Sequence, residues 1–331
     1  MTKKQMTKKR LAGVAAVILG LVAAAAPVLA QQYPTRTVTV IVPYPAGGPT
    51  DETARVVAQS MAARLKQSFI VENISGGNTI VACEKVAHAT PDGYTLILPN
   101  LQISANVTLF KTLPFDTVKD FTPVMLINRN PLVLVGRNTL PAANLKELIA
   151  LMKKQRLKAA IPGYGATGHL ATALFAQEAG APLDMIPYRG AAPAITDLLG
   201  GQVDLFFATP QSVVQLVNTG KLKAFGVTTK DSVPELPKVE SFVTAMGPKL
   251  DFDYWQALFA PAETPRAVIK TLNEAAQAAV ADPAILKNWA AQGIDTFPPD
   301  QRSPEAAERF LKSEIARWGD VIRANNIHLD Q

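Results

Sequence analysis

Residues 38–51 read Val-Thr-Val-Ile-Val-Pro-Tyr-Pro-Ala-Gly-Gly-Pro-Thr-Asp. The first five are aliphatic or β-branched and predict a buried strand, and a helix over residues 51–66 is expected to follow. The loop between them has almost no side chain to pack, and its glycines leave backbone amides open to a ligand. Amides at a helix N-terminus carry partial positive charge and suit an anion such as a carboxylate. A tight strand-to-helix connection without a ligand is the alternative interpretation.

The first thirty residues have the layout of a secretory signal peptide. Five basic residues lie within residues 3–10, an uncharged apolar run follows over residues 11–26, and Val28-Leu29-Ala30 places small or aliphatic residues before Gln31. The apolar run is shorter than the roughly 20 residues that a spanning helix needs. We therefore expect cleavage after Ala30 and a soluble, periplasmic mature protein. An uncleaved membrane anchor is the alternative.

The positive charge of the chain comes mainly from this leader. The whole chain has 33 basic and 27 acidic residues, and the leader contains five of the basic residues and no acidic one. The remaining 28 basic and 27 acidic residues leave a net charge of +1. A nucleic-acid partner is therefore not expected, because such partners usually require a basic surface. Cys83 is the single cysteine, so no intramolecular disulfide can form, and we expect its side chain to be buried.

Short apolar strands alternate with helical patterns along the mature chain, which predicts mainly parallel sheets flanked by helices. Two apolar runs within residues 121–135 are separated by Asn128-Arg129-Asn130, where the chain is expected to cross from one lobe to another. It is expected to return near Asp253-Tyr254-Trp255. The predicted domains are a signal peptide at residues 1–30, a first lobe at residues 31–127 and 253–331, and a second lobe at residues 128–252.

Three loops are expected at the carboxyl ends of strands, where ligands of open α/β sheets bind. They span residues 43–50, 163–169 and 188–192, and each is expected to leave free amides at a helix N-terminus. The third adds Arg189, whose guanidinium can hold a carboxylate through two parallel hydrogen bonds. A structural ion pair, or a hydrogen bond that supports the loop, is the alternative role for Arg189. Loops of this kind on two lobes would clamp a carboxylate between them.

Further motifs are distributed along the mature chain in a characteristic order. They are Val71-Glu72-Asn73, Pro91-Asp92-Gly93-Tyr94-Thr95, Asp120-Phe121-Thr122-Pro123-Val124, Gly168-His169-Leu170, Pro187-Tyr188-Arg189-Gly190 and Asp197-Leu198-Leu199-Gly200-Gly201-Gln202-Val203-Asp204. Together with the opening stretch, they resemble the Bug-type solute receptors of tripartite tricarboxylate transporters. The resemblance implies a two-lobe, type II periplasmic-binding-protein-like fold with the ligand cleft between the lobes. It also implies capture of a small carboxylate and its delivery to integral-membrane transporter subunits.

The candidate ligand-binding residues combine these loops with positions that the resemblance implies. Asp51 is expected to cap its helix, because its charge repels an anionic ligand. Tyr44 is expected to project from its loop and to line the pocket or stack on an aromatic ligand. His169 is expected at a helix start that Thr167 caps, either near the ligand or packed behind it. The full candidate set is Tyr44, Pro45, Ala46, Gly47, Gly48, Thr50, Asp51, Gln102, Ala166, Thr167, His169, Arg189, Gly190, Ala191, Ala208 and Thr209.

Three segments depart from the usual pattern of the family. Residues 74–80 read Ile-Ser-Gly-Gly-Asn-Thr-Ile where Arg-Pro-Gly-Ala-Gly-Gly-Asn is frequent. Ala166 stands where a hydroxyl residue is usual, with Thr167 one place later. Ala208 and Thr209 stand where aspartate or another polar residue is frequent. These changes leave the ligand open: it is aliphatic or aromatic, with one, two or three carboxyl groups.

Motifs of known catalytic chemistry do not occur in the sequence. It has neither a Gly-x-Ser-x-Gly elbow nor a phosphate-binding Gly-x-x-x-x-Gly-Lys loop, and its histidines at 88, 169 and 328 lack metal-ligand spacing. We expect a monomeric receptor with no catalytic residue, metal or cofactor. A ligand-sensing partner of a membrane sensor protein is one alternative. A secreted hydrolase or isomerase on the same scaffold is the other.

Overall fold

The computed structural model describes residues 33–230 and 233–329. The predicted signal peptide and its cleavage site therefore lie outside the described residues. The strands in chain order are β1 (Val38–Val42), β2 (Phe69–Asn73), β3 (Thr95–Ile97), β4 (Phe121–Asn130), β5 (Val133–Arg137), β6 (Lys158–Ile161), β7 (Asp184–Pro187), β8 (Leu205–Ala208), β9 (Leu222–Val227), β10 (Tyr254–Pro261) and β11 (Asp295–Thr296).

These strands form two sheets, which we call the first and the second sheet. The first has the order β11-β4-β10-β3-β1-β2, and the second has the order β7-β6-β8-β5-β9. The predicted α/β class with two sheets is confirmed, but each sheet is mixed rather than wholly parallel. In the first, β10 runs antiparallel to β3 and β4, and in the second, β5 runs antiparallel to β8 and β9. Both β5 and β10 enter directly from a crossing between the sheets, so no helix turns the chain round before they pair.

Helices accompany both sheets. In chain order they are α1 (Pro49–Leu65), α2 (Ile80–Ala87), α3 (Gln102–Leu109), α4 (Leu145–Lys154), α5 (Thr167–Ala179), α6 (Ala191–Leu199), α7 (Pro210–Asn218), α8 (Phe242–Met246), α9 (Arg266–Val280), α10 (Pro283–Ala290) and α11 (Pro304–Ala324). Among the described residues, no helix combines the length and the apolar composition that crossing a bilayer requires.

Helix α3 was not predicted from the sequence. Six of its eight residues are buried, among them the polar Gln102, Ser104 and Asn106. A helix that is enclosed on most sides has no polar face, so its sequence shows no 3.6-residue alternation. Some of its polar side chains bond locally: Asn106 Nδ2 donates to the Asn78 carbonyl at 2.8 Å, and Ser104 Oγ donates to the Leu101 carbonyl at 2.6 Å.

The first crossing lies later in the chain than predicted. Strand β4 continues through the polar triplet Asn128-Arg129-Asn130, and Asn130 pairs with Tyr254 of β10. Arg129 pairs on its other edge with Asp295 of β11, so the triplet is enclosed by partners on both sides. The chain then crosses at residues 131–132. The strand therefore continues through the triplet where the crossing was expected, because backbone pairing on both edges overrides the polar side chains.

Thr228 joins the two crossings. It is fully buried, and its backbone N–H donates to the Leu132 carbonyl at 3.0 Å while its carbonyl accepts from the Phe252 N–H at 2.8 Å. Its hydroxyl accepts from the Leu132 N–H at 2.9 Å and donates to the Phe252 carbonyl at 2.7 Å. Thr228 thus makes two hydrogen bonds with Leu132 of the outgoing segment and two with Phe252 of the returning segment.

An apolar core continues past the crossings. Its largest cluster includes Ile97 and Phe259 of the first sheet and Leu134 and Phe207 of the second. The ring of Phe207 in β8 and those of Phe175 in α5 and Phe242 in α8 have centroids within 5.9 Å of one another. The two sheets therefore share one packed apolar boundary beside the hydrogen bonds of Thr228, and buried aromatic contacts of this kind dominate core stability.

We predict that Thr228→Val lowers the free energy of unfolding by about 1–3 kcal/mol, because it leaves the Leu132 N–H and the Phe252 carbonyl with one partner fewer in a buried position. Urea unfolding of the purified protein measures this. Thr264→Val is the matched control, since its buried hydroxyl makes one hydrogen bond, to the Pro261 carbonyl at 2.7 Å, away from the crossings. Equal losses in the two variants would contradict a special role for Thr228.

Candidate functional site

The loop between β1 and α1 is held by Asp51. The Asp51 carboxylate accepts hydrogen bonds from the Gly47 N–H at 2.9 Å, from Arg55 Nε at 2.9 Å and from Asn73 Nδ2 at 2.9 Å. Burial alone would raise the pKa of Asp51, but these hydrogen bonds outweigh it and the pKa is lowered. The prediction that Asp51 caps the helix is wrong. Helix α1 starts earlier, and its N-cap residue is Gly48. Asp51 reaches back from the first turn to hold the loop.

The amides of this loop are only partly free, which corrects the expectation from sequence. The Gly47 N–H is occupied by Asp51, and Gly47 itself needs its left-handed φ of +78°. Helix α1 has no side-chain cap. The amides of Thr50 and Asp51 lie in its first turn, where a helix has no carbonyl of its own to pair with them. Those two amides form the anion-attracting end of this element.

A buried polar cluster lies directly behind this loop. The Tyr254 hydroxyl is 2.8 Å from Thr50 Oγ1 and accepts from Asn100 Nδ2 at 3.0 Å. Gln256 Nε2 donates to Thr50 Oγ1 at 3.1 Å. The Asn100 side-chain oxygen accepts from the Gln102 N–H at 2.9 Å, at the start of α3. The candidate residues Thr50 and Gln102 are therefore connected through two side chains that the sequence did not single out.

Tyr44 does not project from its loop as predicted. Its hydroxyl is buried and makes no hydrogen bond of good geometry within the described part of the chain. Burial raises its pKa well above the usual value, and the neighbouring Tyr254 and Cys83 add to the shift. The tip of the Tyr44 side chain therefore faces the polar cluster. Pro45, Ala46 and Gly47, in contrast, are exposed on the loop.

His169 holds the loop before α5 through a hydrogen bond with a glycine amide of that loop. His169 Nδ1 accepts from the Gly165 N–H at 2.9 Å, and the Tyr164 ring packs edge-on against the imidazole at 5.5 Å. The expectation that Thr167 caps α5 is wrong: the N-cap residue is Ala166, and the buried Thr167 hydroxyl has no partner among the described residues. As in the first loop, a side chain four residues ahead occupies one glycine amide.

His169 is neutral at physiological pH. Burial lowers its pKa from 6.5 to about 4. In a neutral imidazole one nitrogen donates and the other accepts. Because Nδ1 accepts from Gly165, we assign the proton to Nε2. His169 therefore offers an N–H donor, and no positive charge, at the N-terminus of α5.

The loop before α6 contains an unpaired cation. Arg189 is exposed, and its guanidinium makes no hydrogen bond or ion pair with any residue in the described ranges. The neighbouring Tyr188 hydroxyl donates to Asp197 at 2.8 Å, which anchors the loop beside Arg189. Gly190 is the N-cap of α6 with a φ of +107° and open space around it. The structural ion pair that was the alternative for Arg189 is thus not present.

The second-sheet candidates lie together. A methyl group added to Gly163 would be 4.0 Å from the Tyr188 carbonyl, and one added to Gly168 would be 3.3 Å from the Phe207 carbonyl. Ala208 and Thr209 follow Phe207, and Thr209 is the N-cap of α7. The cluster therefore joins the ends of β6, β7 and β8, and contains the candidates Ala166, Thr167, His169, Arg189, Gly190, Ala191, Ala208 and Thr209.

We call the buried polar group of Thr50, Asn100, Gln102, Tyr254 and Gln256 the first cluster and the group of second-sheet candidates the second cluster. The two clusters approach one another along α3. This helix begins at Gln102 in the first cluster and ends at Leu109. A methyl group added to Gly165 of the second cluster would lie 2.8 Å from the Leu109 side chain and 2.9 Å from that of Leu329. Close packing therefore requires glycine at residue 165. Within the described ranges, Arg189 makes no hydrogen bond to the first cluster.

Three residues of the first cluster were missed from the sequence: Asn100, Tyr254 and Gln256. Each is polar and at most 8% exposed. A buried polar residue amid apolar neighbours is a signal in principle, because such groups must find partners. Yet Asn100 and Gln256 pair in an isolated bridge across 156 positions of sequence, and periodicity does not reveal that pairing.

Comparison with known proteins gives a consistent result. A family model described as tripartite tricarboxylate transporter family receptor matches residues 53–327. The protein BugT of Bordetella pertussis is 32% identical over 328 residues, covering 98% of this chain and 100% of BugT.

Solved structures agree with the sequence relatives. The periplasmic binding protein BugD has a TM-score of 0.82 and 32% identity, over 90% of this chain and 100% of that one. MatC from Rhodopseudomonas palustris, solved with bound malate, has a TM-score of 0.81 and 33% identity, over 88% of this chain and 100% of that one. The chain therefore belongs to the tripartite tricarboxylate transporter receptor family of Bug-type solute-binding proteins, and it has the periplasmic-binding-protein fold.

Proposed function

We propose that this protein is a periplasmic receptor that captures a small carboxylate between its two loop clusters. It then delivers the carboxylate to the membrane subunits of a tripartite tricarboxylate-type transporter. The observation that carries the proposal is the unpaired guanidinium of Arg189, which stands beside helix N-termini that no side chain caps. A guanidinium and first-turn amides are the donors that a carboxylate accepts best. Malate bound to the related MatC supports this ligand class.

The candidate contacts divide between the two clusters. In the first, the amides of Thr50 and Asp51 are the available donors, and in the second, Arg189, the amide of Ala191 and His169 Nε2 are available. A micromolar dissociation constant corresponds to about 8 kcal/mol, which a few charge-assisted hydrogen bonds in a site without water supply. The Asp51 carboxylate acts through the loop, which it holds at Gly47, and only the backbone amide of Asp51 faces the ligand.

Capture requires the clusters to close on the ligand. Among the described residues, we place one lobe at residues 36–130 with 254–329 and the other at residues 133–230 with 233–252. We place the hinge at the crossings that Thr228 joins. A ligand that contacts both lobes stabilises the closed state only by binding it more tightly than the open one. Specificity then follows from loop shape, and no bond is made or broken.

The proposal also includes export of the protein to the periplasm, where it acts as a monomer. The basic and apolar leader predicts removal of residues 1–30 during export, which is consistent with the periplasmic relatives. We therefore expect the mature protein to begin at Gln31. Intact mass spectrometry of the periplasmic fraction measures this, and a membrane-bound species that retains residues 1–30 would contradict it.

We predict that Arg189→Ala weakens carboxylate binding about 10- to 100-fold, because a hydrogen bond to a charged group contributes about 1.5–3 kcal/mol. A thermal-shift screen of mono-, di- and tricarboxylates, with malate included, identifies the ligand, since binding to the native state raises stability. Calorimetry on the variant then measures the affinity.

Small-angle scattering tests closure in the same samples. The ligand is expected to lower the radius of gyration of the wild type and to lower it less in Arg189→Ala. Arg156→Ala is the matched control, because Arg156 is an exposed arginine beside the second sheet whose partner is Asp184 at 2.8 Å. A tight ligand that leaves the scattering curve unchanged, with normal binding by Arg189→Ala, would refute the clamp.

We predict that the ratio of wild-type to His169→Gln affinity stays constant between pH 5.5 and 8. The lowered pKa of His169, about 4, keeps the ring neutral over this range. If His169 instead bound the anion as an imidazolium, the wild-type affinity would rise relative to the variant as the pH falls through 6.5. Calorimetry at several pH values measures this affinity ratio, in which the contributions of other titrating groups cancel.

A further inference from the structure

We propose that Tyr254 is a positioning residue, which holds the first-turn ends of α1 and α3 in place for the ligand. The inference rests on the proposed function for its ligand, but its geometric part stands on hydrogen bonds within the first sheet. It concerns a residue of the returning strand β10, which is not part of any of the three loops.

The Tyr254 hydroxyl contacts two side chains that lead to different helices. It is 2.8 Å from Thr50 Oγ1, and Thr50 is the second residue of α1. It also accepts from Asn100 Nδ2 at 3.0 Å, while the Asn100 oxygen accepts from the N–H of Gln102, the first residue of α3. A single phenol oxygen therefore connects the N-termini of two helices that follow the neighbouring strands β1 and β3.

The cluster leaves one hydroxyl proton for another acceptor. Gln256 Nε2 donates to Thr50 Oγ1, and Asn100 Nδ2 donates to Tyr254, so each hydroxyl oxygen already accepts one hydrogen bond. The hydrogen bond between the two hydroxyls uses only one of their two protons. A phenol is the stronger acid, so we assign Tyr254 as the donor to Thr50. The Thr50 hydroxyl then retains its own proton as a donor in the first turn of α1, beside the amides of Thr50 and Asp51.

Tyr254 also lies close in sequence to the crossing. It follows Phe252 by two residues, and Phe252 makes two hydrogen bonds with Thr228. The path from the crossing to the first loop is therefore short: Thr228, Phe252, Tyr254 and Thr50. Movement of the returning segment is transmitted to α1 and α3 together, because both helices depend on the same phenol.

Amide hydrogen exchange in the ligand-free protein tests the positioning directly. Tyr254→Phe keeps the ring and removes the hydroxyl, so we expect the hydrogen-bonded amides of residues 52–53 and 102–105 to exchange about five- to tenfold faster. Asn273→Ala is the matched control. It removes a buried side chain of the same lobe that donates to the carbonyls of Val124 and Arg302, each at 2.8 Å, away from the cluster. It is expected to leave both segments unchanged.

Two outcomes would overturn the proposal: unchanged exchange in Tyr254→Phe, or equal acceleration of both segments in Asn273→Ala. If Tyr254→Phe fails to fold, Asn100→Ala serves instead, since it breaks the same connection and should accelerate residues 102–105 first. These measurements need no ligand, so they decide the geometric claim even if the wild type binds no carboxylate, a result that would count against the proposed function alone.

Ligand affinity is the measurement that a merely structural role of Tyr254 would leave unchanged. For the carboxylate that stabilises the wild type most in the screen, Tyr254→Phe is expected to weaken affinity about five- to tenfold, while Asn273→Ala leaves it unchanged. Because Tyr254 acts through Thr50, the losses in Tyr254→Phe and Thr50→Ala should not add in the double variant. Additive losses, or an undiminished affinity in Tyr254→Phe, would contradict the assignment.

Discussion

The four hydrogen bonds of Thr228 are the constraint on which the arrangement of the two sheets depends. The chain crosses between the sheets at residues 131–132 and returns before Tyr254, and Thr228 bonds both segments with its backbone and its hydroxyl. A hydroxyl that accepts from one segment and donates to the other cannot be replaced by an apolar group of the same shape without leaving both partners short of a hydrogen bond. The crossings are thereby held close together.

The loop clusters inherit their rigidity from this organisation. On the first sheet, β10 returns from the crossing and supplies Tyr254 and Gln256 behind α1. On the second sheet, β6, β7 and β8 end together, so Arg189 and His169 stand in one group. Each cluster is thus preorganised on its own sheet, which under the proposed function lowers the cost of ordering a ligand site. The glycine loops are held rather than loose, because Asp51 and His169 each occupy one glycine amide.

Part of the geometry of the candidate loops was accessible from local pattern. The strand, glycine loop and helix sequence predicted a helix N-terminus at the end of β1, and the structure has α1 start directly after that loop. The two errors have different physical causes: the Asp51 carboxylate is drawn to a backbone amide of its own loop, whereas the Tyr44 ring is buried. Asp51 was expected to cap and Tyr44 to project, but the carboxylate reaches back to Gly47 and the phenol turns inward. Sequence spacing indicates which groups are near along the chain, whereas hydrogen-bond geometry decides which amide each group satisfies.

The sequence by itself determined the α/β class, the order of most helices and strands and the glycine loops, because these depend on local propensity and short-range periodicity. The family resemblance was also available from the sequence, because it rests on short motifs in a fixed order. Only the tertiary structure decided the antiparallel entry of β5 and β10, the buried helix α3 and the partners of Thr228 and Tyr254. Thr228 meets Leu132 from 96 residues away, and Tyr254 meets Thr50 from 204 residues away. Contacts over such separations leave no periodic trace in the chain, because they are selected by the packing of whole sheets and by the need to pair every buried polar group.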